Sequence, residues 1–180
     1  MKRIYINIFL LAFGIFSTSF QTTGNREYKV KAAFLFNFAQ FVEWPVNALP
    51  APNTPLVIGV LGENPFGTYL EDIISGGQVN GHPLVVQQYK NVEEIKTCHI
   101  LFINLPEINK LNQAITSLKG RSILTVSDGN NFIKQGGMIR FVIRDDKIRF
   151  QINPEPAKEA NLMISSKLLR LAEVVSPNNN

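Results

Sequence analysis

Leu56-Val57-Ile58-Gly59-Val60-Leu61-Gly62 runs for seven residues without a charged or polar side chain, and this stretch decides the fold. It is too short for a helix of ordinary length. It has the length of a strand, and its unbroken apolar character fits a strand covered on both faces. Such a strand belongs at the centre of a sheet with helices on either side.

Downstream, strands and helices alternate. Asn64-Pro65 pairs a capping residue with proline, which predicts a helix start and a helix through about Ser75. Gly76-Gly77 and Asn80-Gly81-His82-Pro83 mark turns, and Leu84 to Tyr89 reads as a second strand. Asn91 to Ile95 reads as a helical turn, and Ile100 to Asn104 as a third strand. A helix then opens at Leu105-Pro106 and runs to Leu118, with Gly120 as its C-cap. Ser122 to Val126 reads as a fourth strand. This alternation predicts an α/β domain built on a mostly parallel sheet flanked by helices. The pattern then changes. Met138 to Ile143 and Ile148 to Ile152, joined through Arg144-Asp145-Asp146-Lys147, predict an antiparallel hairpin. Pro154 and Pro156 end it, and the apolar spacing of Ala160, Ile164, Leu168 and Leu171 predicts one helix over 157–175.

Upstream, Val30, Phe34, Phe38, Phe41 and Val42 recur at helical spacing in a segment that Trp44-Pro45 stops. Phe34, Phe36, Phe38, Phe41 and Trp44 fall within eleven residues, too wide a spread for one helix face. Most of these rings are expected in the core, with one or two left for a partner. Before this helix, Met1-Lys2-Arg3 and the apolar run from Ile4 to Phe16 give way to Ser17-Thr18-Ser19. That is the order of a secretory signal, expected over 1–24 and removed between Ser19 and Asn25. The run is shorter than the ~20 residues a membrane span needs. One domain is expected over 26–176, and a disordered tail over 177–180.

Charge and chemistry narrow the function. The chain carries 18 cations and 14 acids, and loss of Lys2 and Arg3 lowers the net charge from +4 to +2. That excess is too small to predict nucleic-acid binding. The single cysteine, Cys98, cannot close an internal disulfide in an exported protein, and its apolar setting reads as a small buried hydrophobe. Gly59 to Gly67 matches neither the dinucleotide fingerprint nor a P-loop. The two histidines, His82 and His99, lie near no serine in a nucleophile motif. No catalytic residue, metal or cofactor is therefore expected. Two places could take a small ligand: the helix start at Asn64-Pro65, through its free N–H groups, and Ser127-Asp128, at the carboxyl end of a strand.

Taken together, several segments resemble the YfiR family of periplasmic regulators across nearly the whole mature chain. They are Lys31-Ala-Ala-Phe-Leu-Phe-Asn-Phe-Ala-Gln-Phe-Val-Glu-Trp-Pro45, Ile58-Gly-Val-Leu-Gly62 with Pro65-Phe-Gly67, and Ile123-Leu-Thr-Val-Ser-Asp128 with Phe132 and Gly136-Gly137. Ile148-Arg-Phe-Gln-Ile-Asn153 and Leu162-Met-Ile-Ser-Ser-Lys-Leu-Leu-Arg-Leu-Ala172 complete the set. The resemblance implies a Rossmann-like, non-catalytic domain able to dimerise. It implies restraint of an inner-membrane diguanylate cyclase, or another membrane sensor, through contact with its periplasmic part. Sequestration by an outer-membrane OmpA-like lipoprotein, and output through cyclic di-GMP and biofilm, come with it. The namesake's redox-sensitive disulfides have no counterpart in a chain with Cys98 alone. Phe34 and Phe38 on the aromatic helix and Lys167 and Arg170 near the C-terminus are the expected partner-binding residues. The competing expectation is a periplasmic small-ligand domain using Asn64, Ser127 and Asp128.

Overall fold

A computed structural model of the protein describes residues 22–176. The predicted export leader falls almost wholly, and the predicted tail wholly, outside the described residues. In chain order the elements begin with helix α1 (Thr22–Phe41), strands β1 (Val42–Glu43) and β2 (Leu56–Gly62), and helix α2 (Tyr69–Ile74). Strands β3 (Gln78–Val79), β4 (His82–Tyr89) and β5 (Ile100–Asn104) follow, with a 3₁₀ turn at Val92–Glu94. Then come α3 (Ile108–Leu118), β6 (Leu124–Ser127), β7 (Ile139–Arg144) and β8 (Lys147–Ile152). The chain ends in α4 (Pro154–Glu159), β9 (Met163–Ile164), α5 (Ser166–Leu171) and β10 (Glu173–Val174).

The main sheet has eight strands in the order β10-β8-β7-β6-β5-β2-β4-β3. From β4 to β7 all neighbours are parallel, so the order of these five strands, in sequence rank, is 2-1-3-4-5. This is a doubly wound, Rossmann-like arrangement of the flavodoxin type. β2 sits inside it, as its apolar run requires. Leu56, Ile58 and Val60 face the core shared with α1 and α2, and Leu61 faces the core shared with α3. Gly59 cannot carry a side chain: a Cβ would come within 2.7 Å of the Tyr89 ring and 2.8 Å of Cys98 Sγ. At the end of α3, Gly120 takes φ +74°, the left-handed conformation that turns the chain back into β6. The predicted hairpin is present as β7 and β8, antiparallel across a two-residue turn.

Three expectations change. The helix predicted over 157–175 is two short helices with strand β9 between them. Asn161, at φ +55°, ends α4, and the Ser165 hydroxyl accepts from Leu168 N–H to start α5. β9 pairs with β1, so Val42 lies opposite Ile164, and Ser165 N–H donates to Phe41 O. Strand pairing to the end of α1 thus wins over helical periodicity. Secondly, Asn64-Pro65 opens a turn rather than a helix. Asn64 Oδ1 accepts from Phe66 N–H, and α2 starts only at Tyr69. Thirdly, the inward stripe of α1 is Lys31, Leu35 and Phe38, continued by Val42 of β1, whereas Val30 is exposed.

Candidate functional site

The inward stripe of α1 brings a cation into the interior. Lys31 follows Glu27 by one helical turn and precedes Leu35 by another, so its Cβ points at the sheet. It meets Asp128, the first residue beyond β6. Lys31 Nζ lies 2.5 Å from Asp128 Oδ2 and also pairs with Glu27. The lysine side chain is 3% exposed, while the two carboxylates keep about a quarter of their surface in water. Tyr28 donates its hydroxyl to the same Asp128 oxygen at 3.0 Å, and its ring lies 4.3 Å below Lys31 Nζ. Burial first, and the Asp128 charge next, hold the Tyr28 hydroxyl protonated far above the ordinary tyrosine range. A buried ammonium needs such partners to stay charged.

Beside this cluster opens a cleft of about 370 Å³, walled by Glu27, Lys31, Asp128, Asn130 and Arg140 and by the strand from Phe141 to Ile143. Arg140 lies opposite Ser127 in the β6–β7 register, and its guanidinium donates to Asn130 Oδ1 at 2.7 Å. Two cations and two carboxylates thus face one opening at the carboxyl end of a parallel strand, where doubly wound domains hold ligands. The charges compensate one another, so the cleft is dipolar rather than anion-seeking.

The residues singled out from sequence fall in five settings. Asp128 lines this cleft. Ser127 is buried, donating to Ile103 O at 2.7 Å and accepting from Gly129 N–H, so its hydroxyl is committed to the fold. Asn64 lies apart, and its amide donates to Gly67 O across its own turn. Phe38 is 0% exposed and packs on Phe141 and Phe150, which corrects its assignment to a partner surface. Phe34, half-buried, stacks on Phe38 and meets Phe141 tilted and Phe150 edge-on. Lys167 and Arg170 are exposed on α5, with Lys167 Nζ 5.0 Å from the Phe41 ring centroid. Sequence reasoning missed Lys31, Tyr28 and Glu27. The available signal was a lysine at i and i+4 spacing with Leu35 on an otherwise apolar stripe.

At the switch point between β2 and β5 the strands stay paired to their last residues, Gly62 opposite Asn104, and the Asn104 amide donates to Glu63 O at 2.8 Å. The crevice where doubly wound domains take up nucleotides is laced together by backbone and amide. Among the described residues no group of three or more His, Cys, Asp or Glu side chains could hold a metal ion, and no helix is long and apolar enough to cross a membrane. The fold and site together define a doubly wound α/β domain with a buried ionic cluster at a strand end. The chain belongs to the YfiR/HmsC-like family (DUF4154), whose model matches residues 28–173. Proteins of this family are periplasmic regulators linked to diguanylate cyclase signalling, rather than catalysts. No curated protein matches the chain.

Proposed function

We propose that the chain is a non-catalytic periplasmic regulator that binds the periplasmic sensor part of an inner-membrane signalling protein. In the simplest form the bound partner is a diguanylate cyclase held in its inactive state, so that cyclic di-GMP and biofilm stay low. The family match over 28–173 carries this reading. Regulation of this kind needs only a difference in affinity between two states of the sensor. The surface best suited to it is the C-terminal one. Lys167 and Arg170 project from α5 near Leu171 and Met163, which are 66% and 64% exposed. A second copy of the chain and an outer-membrane OmpA-like lipoprotein are further partners in this scheme, the latter relieving repression by competition.

Deleting the gene tests the reading. Cyclic di-GMP and biofilm should rise, and the wild-type gene should restore them. Unchanged levels in a strain that expresses the protein would refute repression of a cyclase. Crosslinking in intact cells should trap a membrane sensor on the protein, and failure to do so would count against direct contact.

A further inference from the structure

A second cavity, of about 310 Å³, shares no residue with the Lys31–Asp128 cleft. It lies between the end of α3 and the start of α4, with Ile115, Leu118, Met138 and Pro156 among its apolar walls. Its size is at the lower bound of small-molecule pockets, about 300–1,000 Å³. Two buried polar side chains, Thr125 at 3% and Asn153 at 1% exposure, also form its wall. Thr125 Oγ1 accepts from Met138 N–H. Asn153 Oδ1 accepts from Glu155 N–H and so caps α4. Among the described residues Asn153 Nδ2 has no hydrogen-bond partner.

Capping does not explain that amide nitrogen. Serine, threonine or aspartate would cap the helix equally well and leave no spare donor. Turning the amide over would set its NH₂ against Glu155 N–H, donor to donor. Nδ2 has under 1 Å² of accessible surface, so donating to a guest requires a modest swing of the side chain toward the cavity, which the long 3.3 Å Oδ1 contact opposes only weakly. A buried donor without an acceptor is unfavourable, and an arriving acceptor relieves it. The ionisable groups of the wall are Glu155, Glu159 and Lys119; Glu155 pairs with Lys158 and Glu159 with Lys119, so no cation is left to receive an anionic guest.

We propose that this cavity binds a small uncharged molecule with an apolar body and a carbonyl oxygen, such as a ketone, ester, lactone or amide, with Asn153 Nδ2 donating to that oxygen. The inference stands apart from the regulatory reading, because it is tested by binding to the purified protein.

The test is an NMR titration of the labelled protein with three probes: 2-octanone, octanoate and toluene. 2-Octanone should saturably shift the Asn153 side-chain amide and the Leu118 and Met138 methyl signals. Octanoate and toluene should each need at least tenfold higher concentration. Asn153→Asp keeps the cap and removes the donor, and should weaken 2-octanone at least tenfold. Ile115→Trp should fill the cavity and abolish the shifts. Equal binding of 2-octanone and toluene would overturn the assignment, as would Asn153 signals that stay still under all three probes. An ordered water on Nδ2 that 2-octanone does not displace would overturn it too. If neither variant folds, the ranking of the three probes on the wild-type protein decides.

Discussion

His99 is held between two backbone groups. Its Nδ1 accepts from Val57 N–H at 2.9 Å, so the ring carries its proton on Nε2, which meets Ala48 O at 3.0 Å. The ring is 1% exposed, and burial lowers its pKa below the ordinary 6.5. A second proton would break the Val57 bond. The unfolded chain therefore binds more protons than the folded one as pH falls through 6.5. Stability is fully present above that value and is lost below it, by at most about 1.4 kcal/mol per pH unit. Urea unfolding between pH 7.5 and 5.5 should show this fall, and His99→Gln should lessen it. Neighbouring Cys98 is buried, with Sγ 3.1 Å from Ile100 O, and burial pushes its thiol up to about 12. Iodoacetamide at pH 8 should label it only after denaturation. Asp128 tests the ionic cluster. Asp128→Ala leaves Lys31 with Glu27 alone and removes the Tyr28 acceptor, and should cost about 3 kcal/mol by chemical denaturation. Asp128 was legible in the sequence, because a polar residue ending an apolar strand marks a strand terminus. Its partner was not, because a lone lysine on a helix reads as solvated until the packing turns that face inward.

At the scale of elements, the strands whose sequence constrains them on both faces were legible. β2 and β5 match their apolar runs because each is buried from both sides. The β7–β8 hairpin was legible as well, and its turn has a definite geometry. Asp145 and Asp146 adopt φ +49° and +55°, a type I′ turn that matches the twist of the strands. Aspartate tolerates that region less well than glycine does. Asp146→Gly should therefore raise stability by about 0.5–1 kcal/mol, read as a shift in the urea midpoint at constant slope. The C-terminal segment was not legible, for a physical reason. Its apolar positions satisfy helical spacing, but Asn161 and Ser165 each favour a local break. The pairing partner that decides between helix and strand is β1, more than a hundred residues earlier in the chain. Short-range periodicity carries no information on that partner.

Across the whole molecule, the sheet separates two interiors, and the polar features sort by their relation to it. The larger core lies on the α1 side and holds or borders every described phenylalanine except Phe132, so the aromatic surplus is mainly a packing device. Phe34, Phe36, Phe41 and Trp44 remain partly exposed along its margin. The end of α1 is joined to the C-terminal segment through β1–β9 and through Lys167 over Phe41. Any partner that grips α5 therefore also touches the rim of this core. Neither Lys167 nor Arg170 forms an ion pair among the described residues, and Lys167 has only its exposed contact with the Phe41 ring to lose, so reversing both charges should leave the fold intact at a cost of about 1 kcal/mol or less. Exposed charges at an interface act chiefly on association rate and its salt dependence. Lys167→Glu with Arg170→Glu should slow capture of the sensor at low salt by at least tenfold, and the difference from wild type should narrow as salt rises. In cells the double variant should raise cyclic di-GMP as the deletion does, while the melting temperature and periplasmic level match wild type. Normal repression by a stable double variant would move the interface away from α5 and leave the partner to bind elsewhere on the domain.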